Sequence, residues 1–245
     1  MEDNSNRAPG KLYLIPSLMG EVEPLEVLPL AVKKVIDMTQ HYIVENEKSA
    51  RAFIKKVLPS KSQDRLRINV LNKYTQVEEV PEFLNPCLDG HHVGVISEAG
   101  APGVADPGGE VVMLAHQKGI RVVPLVGPSS ILMAMMASGM NGQNFAFNGY
   151  LPIDKSQRSK KLKSLEKLSQ KSEQSQIFME TPYRNMKMFE DLTSTCSPDS
   201  LLCIARDITL DSEMIKTQTI AEWKKNKPDL EKKPTIFILS APAGF

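Results

Sequence analysis

The sequence predicts an α/β fold: two α/β domains, the first built on a mainly parallel sheet. Three observations carry this reading. Short apolar runs alternate with segments of helical spacing, the pattern of a parallel sheet covered by helices on both faces. The chain has 245 residues, which suits one large domain or two small ones with ample core. After Leu151 the texture changes to a polar, lysine-rich stretch followed by a second, strand-rich set of elements. The boundary is therefore set at residue 150, giving domains 1–150 and 151–245.

The elements follow in order. "KLYLIPSL" is a short apolar run stopped by a turn, the pattern of a buried strand. "LEVLPLAVKKVIDM" keeps helical spacing through Pro29. "HYIVEN" reads as a strand, and "EKSARAFIKKVL" as a helix with an apolar face of Ala52, Phe53, Val57 and Leu58. "RLRINVLN" and "HHVGVISEAG" are strands; "GGEVVMLAHQKG" is a helix ended by Gly119. "IRVVPLVGP" is a strand, "SSILMAMMASGM" a helix and "NFAFNGYLP" a strand. Beyond Leu151, "IDKSQRSKKLKSLEKLSQKSEQS" reads as a linker and an exposed helix. "QIFMETP", "LLCIARDITL" and "PTIFILSAP" are strands, "RNMKMFEDLTSTC" a helix, and "MIKTQTIAEWKKN" a strand then a helix.

Bulk properties exclude several classes. No apolar run is long enough to span a bilayer, and the acidic, polar start "MEDNSNRAPG" is not a secretory signal. The three cysteines, Cys87, Cys196 and Cys203, are scattered and form neither a disulfide framework nor a metal-ligand pair. The expectation is a reduced, cytoplasmic protein with no metal site and no membrane partner. The net charge of +1 argues neither for nor against nucleic acid.

The most informative stretch is "ISEAGAPGVADPGGEVV". Gly100, Gly103 and Gly108 permit positive φ and close backbone approach, Pro102 and Pro107 stiffen the loop, and Asp106 can cap the following helix. The loop sits at the carboxyl end of a strand, where ligands bind in parallel sheets. A plain strand-to-helix turn explains the same residues. No phosphate-cradle motif occurs, and the loop after the first strand, "IPSLMGE", is not glycine-rich as a dinucleotide site requires. A second turn, "PLVGPSSILMAM", ends another strand at Gly127 and Pro128. There Ser129 or Ser130 caps the next helix, and the other serine is free to meet a ligand.

The order "LYLIPS…ISEAGAPGVADPGGEVVMLAHQKGIRVVPLVGPSSILMAMMASG…FAFNGYLP" resembles the tetrapyrrole methylase superfamily, enzymes dependent on S-adenosylmethionine. The nearest branch methylates a ribose 2′-hydroxyl in small-subunit ribosomal RNA. Ser97, Ala99, Gly100, Pro102, Asp106, Pro107 and Gly108 match its glycine-rich stretch, and Pro124, Leu125, Gly127, Pro128 and Ser129 match its second turn. The likeness spans nearly the whole chain and is strongest over residues 92–152. It implies two α/β domains with the cofactor in a cleft between them. It places the cofactor along Ser97, Ala99, Gly100, Ala101, Val104 and Asp106, with Pro16, Ser129 and Ser130 facing it. It places Met179, Ala205, Pro234, Thr235 and Ile236 around the adenine, and for Met179 and Ile236 a role as strand core explains the residue equally.

The loops that line the acceptor side in that branch read differently here. "PSLMGEVEPLEVLP" keeps only the first proline and the glycine, and "VENEKSA" keeps Glu45 while Asn46 and Lys48 replace Asp and Arg. Methyl transfer to a hydroxyl benefits from a general base, and Glu45 is the candidate; its plainer reading is a surface or helix-capping acid. Arg184 either holds a substrate anion bidentately or pairs with Glu180 or Asp207. The lysine-rich helix carries seven basic residues between Asp154 and Glu173, which either steer RNA or form a solvated face. The family usually pairs, and Met133, Met135, Met136 and Met140 offer an apolar helix for a homodimer. The resulting expectation is a methyltransferase acting on ribosomal RNA. The alternatives are a small-molecule, tetrapyrrole-like methylase and a non-catalytic cofactor-binding protein.

Overall fold

The computed structural model describes residues 8–242, and the polar start through Arg7 lies outside them. The chain forms two compact units, the first ending at Ser129 and the second beginning at Ser130.

Among the described residues, the first unit holds five parallel strands. They are β1 (Lys11–Ile15), β2 (His41–Val44), β3 (Arg67–Val70), β4 (Val93–Ile96) and β5 (Arg121–Pro124), in the order β3-β2-β4-β1-β5. The helices between them are α1 (Pro24–Val27), α2 (Leu30–Met38), α3 (Glu47–Val57), α4 (Asn85–Leu88) and α5 (Gly108–Gln117). Alternation along each strand builds two cores. Tyr13, Ile15, Tyr42 and Val44 pack on Val32 and Ile36 of α2 and Ile54 of α3. Leu12, Ile43, Val93 and Val95 pack with Val111 and Ala115 of α5 and Cys87 of α4. Burial on both faces is why these strands read as continuous apolar runs.

Three local readings change. The helix expected through Pro29 breaks there into α1 and α2, because the residue before a proline is pushed out of helical conformation; Leu28 is extended at φ −108°, ψ 131°. The buried face of α3 is Ala50, Ile54 and Val57, with Leu58 just beyond, while Ala52 is exposed and Phe53 half-buried. Asn46 sets this rotation by capping the helix, its side chain accepting from Lys48 N–H at 2.9 Å and Ser49 N–H at 3.2 Å. Residues 73–90, given no element from sequence, supply a 3-10 turn at Val80–Leu84 and α4, and bury Val80, Leu84 and Cys87. Pro81 and Pro86 mask the helical spacing there.

The second unit carries α6 (Ser130–Ser138), β6 (Phe145–Tyr150), α7 (Lys155–Ser172), β7 (Ser175–Met179), α8 (Asn185–Thr195), β8 (Leu201–Arg206), β9 (Met214–Thr219), α9 (Ile220–Lys225) and β10 (Thr235–Ser240). Its sheet runs β6-β7-β10-β8-β9. Among the described residues only its β6–β7 pair is parallel. The pairing places β6 with this unit rather than before a boundary at 150, since Phe145 lies opposite Ser175 of β7. Thr217 of β9 also donates to Ser138 O of α6 at 2.7 Å. The core gathers Leu162, Leu165, Phe178, Phe189, Trp223 and Phe237, and the Trp223 indole N–H donates to Leu202 O at 2.8 Å.

The lysine-rich helix α7 is not exposed all round. Arg158, Leu162, Leu165 and Ser169 recur on one helical face and are buried. Arg158 is 2% exposed and its Nε donates to Asp191 Oδ2 of α8 at 2.7 Å. It also donates to Pro152 O at 3.0 Å and Ile153 O at 2.6 Å. The residue counted among the seven basic ones is therefore a structural strut that ties the segment before α7 to α8.

Candidate functional site

β1 lies between β4 and β5, so the turns that follow those two strands flank its carboxyl end. Their contacts are specific. Ser17 N–H donates to Gly100 O at 3.0 Å. Ser97 Oγ donates to the same carbonyl at 2.7 Å and lies 3.4 Å from Ser17 Oγ. Gly100 has φ +75° and Gly103 φ +79°, a conformation that disfavours any side chain. A Cβ on Gly127 would come within 2.2 Å of the Pro16 ring, and one on Gly100 within 3.3 Å of Pro128 O. Pro16, Gly100 and the Gly127–Pro128 turn thus meet, and the two glycine-containing turns form one cluster.

Asp106 holds the rest of the loop. Its Oδ1 accepts from Gly103 N–H at 2.7 Å and from Gly108 N–H, the start of α5, at 2.8 Å. The N-cap position of α5 is Pro107, which makes no side-chain cap bond, so Asp106 acts from one residue earlier, and its carboxylate is committed to backbone. Ser97 is buried, Ala101 half-buried, and Val104 at the loop tip is 50% exposed. Ser129 closes the first unit, and Ser130 is the first residue of α6.

Beside this cluster a cavity of about 370 Å³ opens between the loop after β1, α3 and the end of β4; Ser17, Met19, Phe53, Lys56, Ser97 and Ala99 are among its lining. Ser49 Oγ donates to Glu98 Oε1 at 2.6 Å, and Lys56 meets Glu21 at 3.1 Å. Met19, Lys56 and Glu98 are not singled out by the sequence reading, which takes Phe53 only as part of an apolar helix face. Met19 lies in the loop after β1 and Phe53 and Lys56 on α3, two segments that only the fold gathers with Glu98 of the glycine-rich stretch.

Glu45 follows β2 and is half-buried. Burial raises its carboxyl pKa above the ordinary range, the charges of Asp106 and Glu98 raise it further, and the Glu98 backbone N–H partly offsets them. The capping of α3 falls to its neighbour Asn46. Glu45 is thus neither a cap nor a fully solvated acid.

In the second unit, Met179, Ile236 and Ala205 form one row across β7, β10 and β8, with Ile236 opposite both others. Thr235 pairs with Arg206, and Pro234 O accepts from Asp207 N–H at 2.9 Å. Residues distant in sequence thereby come side by side. Arg184 takes the ion-pair arrangement: it meets Glu180 at 2.6 Å, and the Glu180 side chain is 1% exposed. Asp207 instead accepts from Ser212 Oγ at 3.0 Å.

No family model matches the chain. Among sequence relatives, the ribosomal RNA small subunit methyltransferase I of Buchnera aphidicola is 30% identical over 251 residues, 96% of this chain and 80% of the relative. That of Vibrio cholerae is 27% identical over 224 residues, 91% of this chain and 74% of the relative. Among solved structures, the methyltransferase CobJ is 16% identical with a TM-score of 0.62, covering 95% of this chain and 94% of that one. The uroporphyrin-III C-methyl transferase from Thermus thermophilus, complexed with S-adenyl homocysteine, is 18% identical with a TM-score of 0.54, covering 94% and 97%. Diphthine synthase is 13% identical with a TM-score of 0.66, covering 94% and 89%. The structural likeness is one of fold, extending over nearly the whole of each chain.

Proposed function

This chain belongs to the ribosomal RNA small subunit methyltransferase I family, and from that premise we propose that it transfers a methyl group from S-adenosylmethionine to small-subunit ribosomal RNA, at a ribose 2′-hydroxyl. The relative that is 30% identical over 96% of this chain carries the proposal. The similarity to CobJ and to uroporphyrin-III C-methyl transferase is one of fold and does not favour a tetrapyrrole acceptor.

The glycine-rich loop fits this cofactor. Residues 99–106 contain no lysine or arginine, which suits a sulfonium cation bearing an adenosine rather than a phosphate. Gly100 leaves backbone bare where a side chain would be strained. We assign cofactor contacts to Pro16, Ser97, Ala99, Gly100, Ala101, Val104 and Ser129 in the first unit. In the second we assign Ser130, Met179, Ala205, Pro234, Thr235 and Ile236. Asp106 acts through the loop that it holds.

When bound, S-adenosylmethionine supplies an electrophilic methyl group. The chain's own task is orientation and removal of the acceptor proton. Glu45 is assigned that proton, since burial beside Asp106 and Glu98 makes its carboxylate more basic than an ordinary one. Arg184 serves to hold the turn after β7 through Glu180 and is given no substrate contact.

The three cysteines are free and buried, and burial pushes the Cys87 thiol to about 11 and the Cys196 thiol to about 12. Among the described residues no helix is long and apolar enough to cross a membrane. We propose a cytoplasmic location, which the free state of the three thiols supports. A homodimer is proposed through α6, whose Leu132 is 53% and Met136 83% exposed.

The test is methylation of small-subunit ribosomal RNA with labelled cofactor, followed by digestion and mass mapping. A methyl group on one ribose is expected. Transfer to a tetrapyrrole with none to RNA would replace the acceptor, and cofactor binding that never yields S-adenosylhomocysteine would remove the activity.

A further inference from the structure

The outer face of α7 carries a row of cations that the fold leaves unpaired. Lys155, Lys160, Lys161, Lys163, Lys167 and Lys171 are all exposed. Among the described residues, none of them forms an ion pair. Four acids in or beside α7 form no ion pair with these lysines. Glu166, the one acid within α7, accepts from Ser197 N–H at 2.7 Å and Ser200 Oγ at 2.6 Å. Asp154 caps the helix by accepting from Gln157 N–H at 2.8 Å. Asp191 is taken by the buried Arg158, and Glu173 lies past the last turn in left-handed conformation.

Lys160, Lys163, Lys167 and Lys171 recur at steps of three or four residues, which places them on one side of the helix over roughly 16 Å. Like charges at such spacing destabilise a helix, so the row works against folding, and a bound polyanion relieves it. The opposite side of α7 anchors it through Leu162 and Leu165 in the core. Leu168 is the one large apolar side chain of α7 that is exposed, at 44%, too little for a face that inserts into lipid.

We propose that this lysine row docks the phosphate backbone of the RNA substrate, apart from the residues assigned to methyl transfer. Regular cations on a rigid rod match the regular charges of a nucleic-acid strand. The proposal rests on the RNA reading above and extends it by naming a binding surface.

The test uses the full chain and a small-subunit ribosomal RNA transcript, with affinity measured across salt concentration. Replacing Lys163→Gln, Lys167→Gln and Lys171→Gln together is expected to flatten the log–log salt slope by about 2. It should weaken binding by about tenfold near physiological salt and raise KM for RNA, with kcat and cofactor affinity unchanged. The control Lys224→Gln, Lys225→Gln and Lys227→Gln removes the same charge from exposed lysines near α9 and should leave the slope nearly intact. Equal loss in both variants, or an unchanged slope in the α7 variant, overturns the docking face while leaving RNA methylation standing. Loss of RNA binding confined to the α7 variant, in a protein that methylates no RNA, supports the face and removes the activity. Binding to phosphatidylserine vesicles with the same dependence on these lysines overturns RNA as the occupant.

Discussion

Glu45 and Gly100 bear the most chemistry per atom. The raised pKa of Glu45 has a definite sign. Its native state prefers the proton, so its contribution favours folding below the ordinary glutamate pKa and is lost as pH rises through the higher native value. Glu45→Gln should therefore raise the melting temperature at neutral pH, with the gain fading as pH falls below the ordinary glutamate range. If Glu45 takes the acceptor proton, the same variant loses about 10²–10⁴-fold in the methyl-transfer step. Thermal scans at two pH values and single-turnover kinetics read both effects, and an unchanged rate would remove the assignment. Gly100→Val forces a branched side chain into φ +75° beside Pro128 O. That strain costs about 1–3 kcal/mol of stability, and cofactor affinity should fall by more than the stability does. A variant that folds and binds the cofactor normally, by calorimetry, would make this loop only a turn.

Elements meet through a few contacts that composition does not reveal. The turn after β5 rests against Pro16 because Gly127 has no side chain; a Cβ there would lie 2.2 Å from the proline ring. Gly127→Ala must shift the turn or β1, at a cost of about 1–3 kcal/mol, measurable by urea denaturation. Helix α7 depends on Arg158 and Asp191, which are 2% and 5% exposed at the side chain. Arg158→Met leaves Asp191 as a buried, unpaired charge and should cost about 3–5 kcal/mol. Adding Asp191→Leu should recover much of that loss; a double variant no better than the single one would show that the Pro152 and Ile153 carbonyls carry the cost instead. Sequence periodicity located α7 but not this strut, because an arginine among lysines looks like one more solvated charge.

For the whole molecule, α6 is the element whose surroundings matter most. Ala134 and Met135 face inward while Leu132 and Met136 are more than half exposed. Met136→Glu should convert the proposed dimer to a monomer of 27.2 kDa in sedimentation at micromolar concentration. A wild-type monomer under the same conditions would refute the pairing. The sequence by itself determined the α/β class, the parallel first sheet, nearly every strand and the two glycine-containing turns. These follow from local signals: period, punctuation and the backbone freedom of glycine. It also carried the likeness that led to the family. Only the tertiary structure decided that Pro16, Gly100 and Gly127 touch, that Met179, Ile236 and Ala205 share a row, and that α6 and β6 join the second unit. It alone showed Arg158 to be buried while the lysines beside it stay unpaired. Each of these rests on strand order and register, which bring together residues far apart in the chain, and no pattern within one segment encodes its partner in another.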